Sequence, residues 1–233
     1  MLNTEHVCEE TVIPNQLQVI FELLTVLVEI YHKNVNSNEE VDFKQIKASE
    51  DFQAFLIKAA KLQRVFPFYF FAFFTKLTST TVKFALGNMA SEELTVMFVY
   101  LYNTLVLHAY IEIEHFPTCI WDWRYLERTA FYTIGGVAYS LFDIHHGILR
   151  HNRLSPFGSD HPFVENDPRL SLLSNVADNP CTLFTLSDHT RYVLPLFHFH
   201  SPFVNYFTSP LSQSNLGIHL QCLSSTQQVW IMT

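Results

Sequence analysis

The sequence predicts an α+β fold with N-terminal helices, a central buried helix and a small antiparallel sheet. Apolar residues recur at helical spacing in two segments near the start of the chain. A later segment, residues 97–113, is apolar on nearly every side, which is typical of a helix enclosed by other elements. Two short runs of strand-forming residues flank Gly135 and Gly136, the pattern of a hairpin with a diglycine turn.

The N-terminal part predicts two helices separated by a polar loop. The first covers about residues 15–32 and the second about 49–64, with Ser49 as a candidate N-cap. Residues 34–40 are polar and predict the loop between them. The central helix is expected to begin with Ser91 as its cap.

The second half of the chain predicts shorter elements. Trp121, Trp123 and Tyr125 fall in a segment that we expect to connect the central helix to the hairpin. After the hairpin, Ser140 precedes Asp143 by three residues, which is the spacing of a capping box at the start of a short helix. This helix is expected to run to about residue 149.

Two segments differ in composition from the rest of the chain. Residues 66–86 concentrate aromatic side chains and then threonines, with strong β propensity but no clean alternation. A buried strand pair is one interpretation, but we favour an atypical insertion. Residues 192–233 contain no Asp, Glu, Lys or Arg, whereas roughly a quarter of an average protein is charged. We expect this charge-free tail to be atypical of the domain and poorly ordered.

The overall charge and the cysteines restrict the function. The chain has 233 residues and a formal net charge of −8, and this acidic balance argues against a protein that binds the nucleic-acid backbone, which requires a basic face. No two of its 4 cysteines lie within four residues of each other, which excludes a zinc ribbon or a CxxC redox pair. The N-terminus has no signal-peptide pattern, and the strongest apolar run, residues 65–74, is too short to span a membrane. We expect a cytoplasmic protein with no membrane span.

Four blocks of sequence together carry a family resemblance. They are ASEDFQAFLIKAAKLQRV at 48–65, MFVYLYNTLVLHAY at 97–110, YTIGGVAYSLFDIHHGILRHNR at 132–153 and DPRLSLLSNVADNPC at 167–181. These blocks resemble the domain-of-unknown-function 547 family (DUF547), and the third block is long and specific. The resemblance implies a partial copy of that domain over residues 48–191, preceded by an N-terminal helical region at residues 1–47.

The chain also departs from the family pattern. Residues 66–86 separate two helices that follow each other closely in the family, and Tyr100 stands where asparagine is usual. His145 stands in place of a glutamate beside the matched His146, and the prolines that usually follow Cys181 are missing. We interpret the insertion and the tail as translated non-coding sequence or products of altered splicing.

The resemblance provides a set of candidate site residues. Papain-like or transglutaminase-like folds have been suggested for the family, which implies Cys181 as a nucleophile, His146 as its base and Asp143 as the orienting group. The alternative is that Cys181 is a small buried apolar residue. The other polar positions that match the family are Asn103, His108, Arg150, Asp167 and Arg169.

These polar residues also have structural interpretations. Asn103 and His108 are five residues apart on one helix, so they point about 140° apart and are expected to satisfy separate buried hydrogen bonds. Arg150 and Arg169 could bind a carboxylate or phosphate, but ion pairs with Asp143 or Asp167 are favoured.

The sequence predicts no metal site and no cofactor. The chain has 12 histidines but no HxxxH or HExxH motif, and no glycine-rich phosphate loop is present. His145 and His146 are adjacent, so on an α-helix their side chains should diverge by about 100°.

Three functional hypotheses remain open from the sequence. The family occurs beside zipper, DEP and glutaredoxin modules, which favours a non-catalytic interaction or scaffold module with a protein partner. The second hypothesis is a papain-like thiol hydrolase or transferase. The third is a non-functional truncated isoform.

Overall fold

The computed structural model describes the N-terminal helices, the central helix and the region around the hairpin. An α+β architecture is confirmed, because the described residues combine helices with a small two-stranded antiparallel sheet. The atypical segments 66–86 and 192–233 lie outside the described residues, as do Gly135 and Gly136. The described residues are 2, 16–36, 40–60, 62, 90–134, 137–155, 158, 161–178 and 180–186.

Helices α1 (Gln16–Lys33), α2 (Phe43–Ala48) and α3 (Glu50–Ala60) form the N-terminal part. The predicted bounds of α1 agree to within one residue, and Ser49 Oγ accepts a hydrogen bond from the Phe52 amide at 3.2 Å. The short helix α2 was not predicted. It is capped by Asp42, whose side chain accepts from the backbone of Gln45.

The central helix α4 (Ser91–Ile113) is buried along nearly its entire length, as predicted. Its N-cap is Ala90 rather than Ser91, and no side chain caps it. By length and composition alone α4 could cross a membrane, but its apolar window is entirely enclosed by the rest of the fold. The core helix of a soluble protein meets the same criteria.

Helix α5 (Ile120–Thr129) corrects the prediction of a connecting segment around Trp121, Trp123 and Tyr125. The Asp122 carboxylate accepts hydrogen bonds from both the amide and the hydroxyl of Thr118, which stabilises the first turn. Trp123, with Leu126 and Glu127 of the same helix, is buried, whereas Trp121 and Tyr125 lie on the opposite, exposed side. The sequence does not reveal this amphipathic pattern, because aromatic residues occur on both the buried and the exposed side of the helix.

Strands β1 (Phe131–Ile134) and β2 (Val137–Ser140) pair antiparallel, with Phe131 opposite Ser140 and Ile134 opposite Val137. The predicted hairpin is therefore confirmed in its strands. Two 3₁₀ helices, Pro168–Asn175 and Pro180–Thr185, follow later in the chain.

Helix α4 is tied to its neighbours by buried hydrogen bonds. The Tyr31 hydroxyl of α1 donates to the Leu107 carbonyl at 2.7 Å, and burial holds the pKa of this phenol above its usual range. His108 Nδ1 bonds the Tyr132 hydroxyl of β1 at 2.9 Å. These bonds fix α4 against both α1 and the hairpin.

At the C-terminal end of α4, Glu112 gives the fold a measurable pH dependence. The Glu112 carboxylate lies 3.7 Å from His108 Nε2 and 2.9 Å from Lys47 Nζ. His108 and then Lys47 outweigh the effect of burial and lower the pKa of Glu112 from 4.5 to about 2. Because this pKa is lowered on folding, the stabilisation is present above the unfolded-state pKa and is lost as pH falls through the folded-state value.

We therefore expect Glu112→Gln to flatten the dependence of thermal stability on pH between about pH 4.5 and pH 2. The matched control is Glu114→Gln, since Glu114 lies 3.9 Å from the same Lys47 amine but is more exposed. Melting temperatures measured by circular dichroism across this range provide the test. Parallel pH profiles for the wild type and Glu112→Gln would contradict the expectation.

Candidate functional site

The candidate site is built on a π-helix, Asp143–Leu149, that follows the hairpin. The predicted capping box is present: the Asp143 amide donates to Ser140 Oγ and the Ser140 amide donates to the Asp143 carboxylate, each at 3.0 Å. Backbone bonds from Arg150 to His145 and from Asn152 to Gly147 span five residues, as in a π-helix. Such turns are rare in proteins, and those that do occur are often found at functional sites.

The π-helix brings the two adjacent histidines together. The rings of His145 and His146 stack at 4.2 Å between centroids and 15° between planes. The expectation that they diverge by about 100° is therefore wrong, because it assumed an α-helix. A π-helix places more residues in each turn, so consecutive side chains are rotated somewhat less about its axis, and the side-chain torsions supply the rest of the convergence.

Glu127 of α5 faces both histidines. Its Oε1 lies 3.1 Å from His146 Nε2 and 3.8 Å from His145 Nδ1. On the other side of the His146 ring, Nδ1 lies 2.7 Å from an Arg150 guanidinium nitrogen. Glu127 and His146 are only 6% and 5% exposed, so their contact is shielded from water, whereas Arg150 is half-buried.

Glu127 was not among the residues predicted from the sequence. A glutamate on the apolar side of an amphipathic helix is the signal that could have identified it. That signal was missed because residues 120–129 were interpreted as a connection, which has no apolar side.

A second polar cluster centres on Arg169, in the first 3₁₀ helix. Its guanidinium lies 2.7 Å from Asp167 and 3.0 Å from Asp143, and it donates to the Ala138 carbonyl at 2.9 Å. Burial opposes both charges, but hydrogen bonds and charge attraction within the cluster outweigh it. They lower the pKa of Asp167 and raise the pKa of Arg169.

The structure separates the remaining predicted site residues. Asn103 donates to the Thr185 carbonyl at 3.0 Å, whereas His108 contacts Tyr132. Cys181 lies in the second 3₁₀ helix, but its side chain is outside the described part of the chain. Asp143 contacts Arg169, and the carboxylate that contacts His146 belongs to Glu127.

A cavity of about 330 Å³ lies beside the hairpin. The guanidinium of Arg128 lies 4.0 Å from the centroid of the Phe142 ring, and both side chains form part of the cavity wall. The cavity is lined by Arg128, Phe131, Ala138, Ser140, Phe142, Asp143, His161 and Pro162.

These features define an α+β domain with a buried Glu–His pair that contacts Arg150, and with an Asp–Arg–Asp cluster. A family model described as "Protein of unknown function, DUF547" matches residues 86–202. The chain belongs to the DUF547 family. Comparisons with curated proteins and with solved structures gave no match. The matched segment begins at residue 86, the last residue of the atypical segment 66–86. The domain limits 48–191 stay a prediction.

Proposed function

We propose that this DUF547 domain is a non-catalytic interaction module that binds an acidic segment of a protein partner. The observation that carries the proposal is a stripe on α5 formed by Trp121, Arg124, Tyr125 and Arg128. Their spacing of i, i+3, i+4 and i+7 places them on one side of the helix. Trp121 is 69% exposed and Tyr125 is 73% exposed.

The composition of this α5 stripe favours a protein ligand. Trp, Tyr and Arg are the residue types most enriched at the energetic centres of protein interfaces. The Arg124 guanidinium lies 5.4 Å from the centroid of the Trp121 ring, so the stripe presents aromatic surface and positive charge together. Arg124 and Arg128 make the stripe basic although the chain as a whole carries a formal charge of −8, and this local positive charge favours an acidic partner segment.

The polar residues of the family motif support a non-catalytic function. Both ring nitrogens of His146 contact other side chains, Glu127 and Arg150. Asp143 is held by Arg169 and by the Ser140 amide. These contacts explain the polar residues as stabilising the fold around the hairpin.

The test measures binding to two fluorescent peptides of equal length and apolar content, one rich in Glu and one rich in Lys. We expect the acidic peptide to bind the full chain at moderate salt and the basic peptide not to bind. The double variant Trp121→Ala/Tyr125→Ala is expected to weaken binding by at least about tenfold. The control is Ile57→Ala, another exposed apolar residue, on α3. Equal binding of both peptides, or unchanged binding by the double variant, would refute the proposal.

A second candidate is the papain-like thiol hydrolase or transferase, and the Glu127–His146 contact is the observation that favours it. A cysteine nucleophile requires a base that is oriented by a third group. His146 would be that base, with Cys181 as nucleophile and Glu127 in the orienting role expected of Asp143. Glu127 lies 3.1 Å from His146 Nε2.

Iodoacetamide labelling followed by mass spectrometry tests this candidate. A catalytic Cys181 would label faster near pH 7 than the exposed Cys119, and His146→Ala would remove that difference. Similar slow labelling of both cysteines would exclude the thiol mechanism. A chain that shows neither peptide binding nor selective labelling would match the non-functional isoform.

A further inference from the structure

We propose that His145, His146 and Glu127 form a binding site for a divalent transition metal ion of the zinc class. The metal-binding atoms of the three residues all lie within 4.8 Å of one another. They come from two elements, the π-helix and α5, so an ion would link the two. This site goes beyond the proposed interaction function and does not depend on it.

The donor set matches the coordination chemistry of such an ion. Two imidazole nitrogens and one carboxylate oxygen are a common three-ligand set for zinc, and they leave a fourth position for water. Imidazole also favours Zn²⁺, Co²⁺ and related ions over Mg²⁺ or Ca²⁺, which prefer all-oxygen sites. The two N···O separations, 3.1 and 3.8 Å, are close to those between neighbouring ligands around one ion.

The burial of the site allows an ion to enter. The His145 side chain is 15% exposed, whereas Glu127 and His146 are more deeply buried. An ion can therefore reach His145 from solvent and then contact the two shielded ligands. The shielding strengthens the attraction between the ion and the Glu127 carboxylate.

The contact with Arg150 favours one tautomer of the neutral His146 ring in the metal-free protein. The guanidinium donates to Nδ1, so the ring hydrogen lies on Nε2 and points to Glu127. A metal ion must bind an unprotonated Nε2, and the ring hydrogen then moves to Nδ1. Arg150 would face that hydrogen as a second donor, so the Arg150 side chain has to turn away when the ion binds.

This competition predicts an unusual gain of function. Arg150→Gln replaces the donor and its positive charge with a side chain whose carbonyl oxygen can accept from Nδ1–H. Metal-binding histidines commonly donate their second ring hydrogen to such an acceptor, and these partners change metal affinity by about 10–100-fold. We expect Arg150→Gln to bind the ion about tenfold more tightly than the wild type.

The experiment titrates Co²⁺ into the full chain, purified without a histidine tag and treated with a chelator. Visible absorption bands of four- or five-coordinate Co²⁺ are expected at one equivalent, and Zn²⁺ should displace them. His145→Ala should weaken binding at least about 100-fold, since it removes a ligand rather than a supporting group. His115→Ala is the matched control, because His115 is an exposed histidine outside the site.

A folding readout keeps the result interpretable. Circular dichroism should show the same helical content in each variant, and Zn²⁺ should raise the melting temperature of the wild type but not of His145→Ala. Equal Co²⁺ binding by wild type and His145→Ala would overturn the proposal. Weaker binding by a folded Arg150→Gln would overturn the competition between Arg150 and the ion, since Arg150 would then support the ion instead of opposing it.

Discussion

Gly147→Ala is expected to destabilise the domain by about 2 kcal/mol, although alanine usually stabilises a helix relative to glycine. A Cβ built on Gly147 would lie 2.4 Å and 2.6 Å from two ring atoms of Phe163. Phe163 is 2% exposed, and the Arg169 guanidinium is stacked 4.2 Å from its ring centroid. The ring therefore has little space into which it can move.

Two effects of opposite sign decide the size of this change. Replacing glycine in a helix gains roughly 0.5–1 kcal/mol from reduced chain entropy. Overpacking a filled core costs about 1–3 kcal/mol. Because the contacts with Phe163 are so short, we expect the cost of Gly147→Ala to lie near the upper end of that range. The steric term is therefore expected to dominate.

Urea unfolding monitored by circular dichroism measures the effect. The matched control is Gly158→Ala, since the nearest atom to its added Cβ is 3.4 Å away, at Ser155. The double variant Gly147→Ala/Phe163→Leu should be less destabilised than the sum of the single changes, because the smaller side chain relieves the clash. A wild-type unfolding midpoint for Gly147→Ala would show that the packing around Phe163 is looser than described.

Arg169→Met is expected to destabilise the domain by about 3 kcal/mol. The variant keeps an apolar stem against Phe163 but removes the positive charge that holds Asp143 and Asp167. Both carboxylates are largely buried, with side-chain exposures of 18% and 12%. Removing one partner from such a cluster leaves carboxylates that are neither paired nor fully hydrated.

Two further variants separate charge from geometry. Arg169→Lys retains the charge but not the planar fork that contacts both carboxylates, so an intermediate loss is expected. Arg153→Met is the control, because Arg153 pairs with Asp178 at 3.2 Å while both side chains are more than half exposed. Exposed pairs of this kind contribute about 0–1 kcal/mol. Equal losses for Arg169→Met and Arg153→Met would contradict the importance of the cluster.

The Arg169 effect should also depend on pH. The pKa of Asp167 is lowered in the folded protein, so its stabilisation is present above the unfolded-state pKa of about 3.9. It is lost as pH falls through the folded-state value. The difference in stability between wild type and Arg169→Met should therefore shrink in acid. A constant difference down to pH 2 would assign the effect to packing instead.

The correctly predicted elements depend on local signals. Helix α1 was located by apolar spacing, α4 by its continuous apolar surface and the hairpin by the two strand-forming runs around the diglycine. The reciprocal bonds of Ser140 and Asp143 followed from a spacing of three residues. Each of these features depends on residues close together in the chain, so the sequence alone is sufficient to predict it.

The features that depend on distant contacts could not be predicted from the sequence. Helix α5 was misinterpreted because its aromatic residues occur on both the buried and the exposed side, and only packing distinguishes Trp123 from Trp121. The π-helix was missed because its extra residue per turn arises from the surrounding structure rather than from a sequence pattern.

The sequence by itself determined the DUF547 family, the α+β class and most candidate polar residues. Only the tertiary structure decided which of these residues meet. Glu127 and His146 are 19 positions apart in the chain, yet their side chains lie 3.1 Å apart. That contact requires α5 and the π-helix to lie close together, and both elements contact strand β2, while the π-helix also packs against α4. Because burial acts on the whole chain at once, no local pattern could predict the contact.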